Sequence, residues 1–113
     1  MKLAELKDRL NLEILTGVEG LNRDVCGGYV GDLLSDVMAN SESGQVWITI
    51  QGHINIIAVA TLRDLAAVIL AGGRAPNPDT LARARESGLP LLRGELSSFE
   101  LCGRLHRLFF PEG

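Results

Sequence analysis

Three short glycine-bearing segments hold most of the chemistry available to this 113-residue chain: Val30-Gly31-Asp32, Ile50-Gln51-Gly52-His53 and Ala71-Gly72-Gly73-Arg74. Each lies where an aliphatic or β-branched run gives way to a helical pattern, so each reads as a strand-to-helix turn. Glycine admits positive φ and close backbone approach, and amide N–H groups at a helix start favour anions. Tight turning alone accounts for the glycines equally well, since glycine is routine at such junctions. None of the three is a phosphate fingerprint, because the chain has neither GxxxxGK[ST] nor GxGxxG. Arg74, next to Gly72–Gly73, suits a phosphate or carboxylate, or serves as an ordinary solvated cation.

His53 is the side chain with the most chemical potential. It follows Gly52 at a predicted helix start, where the dipole favours the neutral, accepting imidazole. Asn55, two residues on, is either a polar contact or a cap. A single histidine without a nucleophile or second base is not a catalytic set, and no Ser/His/Asp or Cys/His constellation stands out. His106, near the end of the last predicted helix, reads as a surface residue. Asp32 and Asp36 fall at i and i+4, a spacing that could hold a cation or simply complement a helix N-terminus. Cys26 and Cys102 have no zinc or disulfide spacing and read as small core residues. No cofactor or metal is expected.

The elements that must position these residues follow from periodicity. Leu3, Leu6 and Leu10 mark an amphipathic helix over 1–10, and 12–16 is a short strand. Strands are expected at 25–30, 46–50, 65–71 and 89–92. The run LAAVILA (65–71) is apolar throughout, as a central parallel strand covered on both faces must be. Helices are expected between and after them. One places Leu33, Leu34, Val37 and Met38 on one face, and the next, over 54–64, places Ile54, Ile57, Ala58 and Leu62 together. The helix over 76–88 opens with Asn77 and Pro78 and stops at Gly88. The last opens at Ser97 with Glu100 at capping-box spacing and buries Leu101, Leu105 and Leu108. Such alternation predicts an α/β three-layer sandwich: a mostly parallel sheet of four to five strands with helices on both faces.

Composition bounds the function. The length suits one domain over 1–113, and 46% hydrophobic against 22% charged residues predicts a folded chain. A net charge of −3 and 4% aromatics argue against nucleic acid as a partner. The opening MKLAELKDRL is no signal peptide, and no apolar run is long enough for a membrane span, so a cytoplasmic protein is expected.

The order Gly31-Asp32-Leu33, Thr49-Ile50-Gln51-Gly52-His53, Ile69-Leu70-Ala71-Gly72-Gly73, then a Pro-Asp helix start and Leu89-Pro90-Leu91, resembles a DRTGG domain over residues 17–108. The resemblance is to a divergent member. Gly52-His53-Ile54 stands where the family often has Gly-Asp-Arg, and Ala71-Gly72-Gly73 where it has Thr-Gly-Gly. Ligand chemistry that depends on the missing acid and arginine is therefore not carried over. Such domains are similar in fold to the N-terminal domain of HPr kinase/phosphorylase and accompany phosphotransacetylases and regulatory pyrophosphatases. The resemblance implies a non-catalytic regulatory or assembly module, often self-associating. Its ligand would be small and anionic or nucleotide-like, bound by Gly31, Asp32, Gln51, Gly52, His53, Asn55, Gly72, Gly73 and Arg74. Two alternatives remain open here. One is a docking domain for a separately encoded enzyme or kinase, with the apolar tail Leu105, Leu108, Phe109, Phe110 and Pro111 as a contact. The other is a small hydrolase or transferase using His53.

Overall fold

The structure is a computed structural model that describes residues 1–112. Helix α1 (Leu3–Arg9) leads into strand β1 (Glu13–Thr16) and a 3-10 turn (Val18–Asn22). Four strand–helix pairs follow: β2 (Gly27–Val30) and α2 (Leu34–Asn40), β3 (Gln45–Thr49) and α3 (Asn55–Leu62), β4 (Ala67–Leu70) and α4 (Pro78–Ser87), β5 (Leu91–Arg93) and α5 (Ser98–Phe109). The sheet runs β1-β5-β4-β3-β2. Strands β2 to β5 are parallel, and β1 joins β5 antiparallel, so the sheet is mostly parallel as expected.

Strand alternation divides the core. Val46, Ile48, Ala67, Ile69 and Leu92 face α1 and α5, whose Leu3, Leu6, Leu101 and Leu105, with Leu10 just after α1, complete one buried cluster. Trp47, Val68, Leu70 and Leu91 face α2, α3 and α4, meeting Val37, Ile56, Ile57, Ala60 and Ala84. Helices thus cover both faces, which is why β3 and β4 read as unbroken apolar runs.

Several helix ends follow the sequence signals. Ser97 Oγ accepts from the Glu100 amide at 3.3 Å. Gly88 closes α4 in the left-handed region at φ +75°. Asn77 precedes α4 with Pro78 at its first turn, yet its side chain makes no cap bond.

Three local expectations change. Helix α3 buries Ile56, Ile57 and Ala60, while Leu62 is 70% exposed. The segment is apolar all round, so its pattern left the phase undetermined and packing against the sheet selected it. Helix α2 starts only at Leu34 and buries Val37, leaving Leu33 and Met38 exposed, because Gly31 to Leu33 is spent on the turn. Cys26 is exposed rather than in the core: it precedes edge strand β2, and its Sγ donates to the Ser43 carbonyl at 3.3 Å. Cys102 is half-buried, and burial pushes its thiol pKa up.

Candidate functional site

Parallel strands deliver their following loops to one end of the sheet, so the three glycine turns share a rim with the β5–α5 loop. Neighbouring loops along that rim are hydrogen-bonded to one another. Asp32, after β2, accepts at Oδ1 from Thr49 Oγ1 at 2.8 Å and from the Ile50 amide at 2.9 Å. Gln51 donates its amide to Thr49 Oγ1 at 3.1 Å. The Gly52 carbonyl accepts from the Asn77 amide at 3.1 Å and from the buried Thr80 hydroxyl at 2.8 Å, joining the loops after β3 and β4. Gly72 and Gly73 donate to the Leu96 and Gly94 carbonyls at 2.7 and 2.8 Å, joining the loops after β4 and β5.

These bonds alter what the rim offers. The amides of Gly31, Ile50, Gln51, Gly72 and Gly73 were expected to be free for an anion, yet all are engaged within the protein. Gly72 and Gly73 both lie at positive φ, +68° and +67°, so glycine is required there. At Gly73 the end of the exposed Glu95 side chain stands close, its Oε2 2.6 Å from where a Cβ would fall. A carboxylate therefore faces this turn. Glu95 was not legible in the sequence, since nothing local to it announces contact with a loop some twenty residues away.

The remaining rim groups are exposed. His53 Nδ1 accepts from the Asn55 amide at 3.1 Å, so the imidazole caps α3 and carries its acceptor on Nδ1. That leaves Nε2 as a donor in the neutral ring. Asn55 contributes its amide to this contact, and Arg74 is exposed beside Gly73.

Asp32 and Asp36 do not form one site, because Asp36 turns to Tyr29 and Asn40. The Tyr29 hydroxyl donates to Asp36 Oδ2 at 2.5 Å, and Asn40 Nδ2 to Oδ1 at 3.0 Å. Among the described residues, no group of three or more His, Cys, Asp or Glu is arranged to hold a metal. The Tyr29 bond is directly measurable, because Tyr29 is the chain's single tyrosine. That hydrogen bond, then burial, then the Asp36 charge raise its pKa above the ordinary 10.0. Folding thus favours the protonated phenol. The stabilisation is full below about pH 10 and is lost as pH rises through the folded-state value. Phenolate absorbance should titrate above the range of free tyrosine and move back toward it in Asp36→Asn. Identical curves for the two proteins would remove the assignment.

A second feature lies away from the rim. Beside edge strand β2, a groove of about 370 Å³ runs between the strand and α5. Its floor is Gly27, Gly28, Val30 and Ile48, and its wall includes Phe99, Leu105 and Phe110. Gly28 lets α5 approach the strand closely, since a Cβ there would fall 2.5 Å from Leu105 Cδ2. The two adjacent phenylalanines of the tail divide: Phe109 packs against the α1–α5 cluster, while Phe110 is 57% exposed.

The fold has a counterpart among solved structures. The regulatory region of Clostridium perfringens pyrophosphatase, comprising CBS and DRTGG domains and complexed with the activator diadenosine tetraphosphate, superposes with a TM-score of 0.73 at 18% identity. The fold is DRTGG-like. The match covers 92% of this chain and 45% of that one, so this chain spans under half of the regulatory region. No protein-family model matches the sequence, and no curated protein matches it. Among the described residues, no helix is long and apolar enough to cross a membrane.

Proposed function

We propose that this DRTGG-like chain is a non-catalytic regulatory module that acts as a homodimer and senses a small nucleotide-like anion at the strand-end rim. The observation that carries this reading is that each rim loop is hydrogen-bonded to the next: Asp32 to Thr49, Gly52 to Asn77 and Thr80, and Gly72 and Gly73 to Leu96 and Gly94. A ligand that displaces one loop pulls on the next, and differential contact with two loop arrangements is what a sensor requires. The exposed groups suit a molecule with both charge and hydroxyls. Arg74 pairs with a phosphate, His53 Nε2 donates, and Glu95 accepts from a hydroxyl or amino group. The dinucleotide activator in the pyrophosphatase complex makes nucleotides the first candidates.

Isothermal titration with ATP, AMP, diadenosine tetraphosphate and inorganic phosphate tests it. At least one nucleotide should bind, and Arg74→Ala should weaken binding about 10- to 100-fold, the loss of one charge-assisted hydrogen bond. His53→Ala should cost less, with unchanged circular dichroism in both variants. Heat signals absent for all four compounds, or equal affinity in Arg74→Ala, His53→Ala and Gly73→Val, would overturn the ligand assignment.

A further inference from the structure

We infer that the groove between β2 and α5 is the self-association face, and that Phe99 of each copy enters the groove of the other. This rests on the homodimer reading above and specifies its contact surface. Strand β2 is the outermost strand on its side, with β3 as its sheet neighbour, and its sequence Gly-Gly-Tyr-Val has none of the charges or prolines that usually protect an edge. Above it, α5 has a buried stripe and a second, mostly apolar one that includes His106. Leu101 and Leu105 face the core. Phe99, Cys102, His106 and Phe110 recur at three- and four-residue steps down another flank and line the groove. Phe99 is 88% exposed, Phe110 57% and Val30 48%. At about 200 Å² per phenylalanine, the two rings alone present roughly 300 Å² of aromatic surface. That is a large share of the apolar centre of an interface burying about 800 Å² per partner.

The occupant is a second copy for two reasons. A two-fold contact is self-complementary, so knob and hole must lie on one surface, as Phe99 and the groove do. A two-fold also sets charges near the axis against their own sign. The residues lining this groove include no Lys, Arg, Asp or Glu, in a chain that is 22% charged. Antiparallel pairing of the two β2 edges about an axis normal to the sheet places both α5 helices on the same side, flank to flank. Gly103, where an added Cβ would meet nothing within 4 Å, leaves room for that approach.

Sedimentation of the full chain over a wide concentration range, with three variants, tests the assignment. The parent protein should dimerise. Phe99→Glu and Val30→Lys, both at exposed positions, should each weaken dimerisation at least 100-fold. Leu62→Glu, on exposed α3 across the sheet, should leave it unchanged. A dimer insensitive to Phe99→Glu and Val30→Lys overturns this face while sparing the homodimer reading. A parent protein monomeric at every concentration overturns both.

Discussion

Trp47→Ala is expected to remove about 3–5 kcal/mol of folding stability, the cost of deleting a large buried aromatic side chain. Trp47 is fully buried on β3 within the cluster under α2, α3 and α4. Its indole also donates from Nε1 to the Gly31 carbonyl at 2.8 Å. The same side chain thus fills the core and anchors the turn that carries Asp32. Trp47→Phe separates the two contributions. It keeps most of the ring volume but leaves that carbonyl without its donor, for a cost of about 1–3 kcal/mol. A domain of this size has about 5–15 kcal/mol in total, so Trp47→Ala should fold marginally. Urea denaturation followed by far-ultraviolet circular dichroism reads both variants without using the lost indole. A Trp47→Ala midpoint matching the parent would mean that this packing is wrongly described.

The sequence exposed the architecture because its strongest signals are local. The unbroken apolar run at Ala67–Leu70, Pro78 and Gly88 bounding α4, and the Ser97–Glu100 box opening α5 each depend on residues within a few positions. What escaped notice depends on residues brought together from afar. Helix α3 offers apolar residues on every side, so only the sheet could decide that Ile56 and Ala60 turn inward and Leu62 outward. The rim glycines were visible as turns, yet the occupancy of their amides by Leu96 and Gly94, and Glu95 standing over Gly73, are contacts between separate loops. The groove escaped for the same reason. Gly28 looks like a weak strand residue until α5 is laid across it, and then its missing side chain lets Leu105 settle on the strand, with the groove opening beside that contact. Periodicity reports which face of an element is apolar, but it cannot say which apolar residues remain uncovered.

Gly17→Ala should cost about 2–4 kcal/mol, more than its backbone angle alone explains. Gly17 sits at φ +78°, where a left-handed conformation costs an L-residue about 1–2 kcal/mol. A Cβ there would also fall 2.5 Å from Pro90 N and 2.7 Å from the Leu89 carbonyl carbon. These are backbone atoms, so no side chain can rotate away. The Leu89–Pro90 segment is held from both sides as it enters β5. Thr16 Oγ1 donates to the Leu89 carbonyl at 2.8 Å, and the Val68 amide to the Pro90 carbonyl at 3.0 Å. Relief of the clash must therefore loosen β5 from β1 or from β4, and β5 leads directly into the loop that engages Gly72 and Gly73. Gly88 supplies the control, with φ +75° and nothing within 4 Å of an added Cβ. Gly88→Ala should show the conformational cost alone, about 1–2 kcal/mol. Paired urea melts separate backbone strain from steric conflict, and equal losses in the two variants would mean that the Gly17–Pro90 approach does not constrain the sheet.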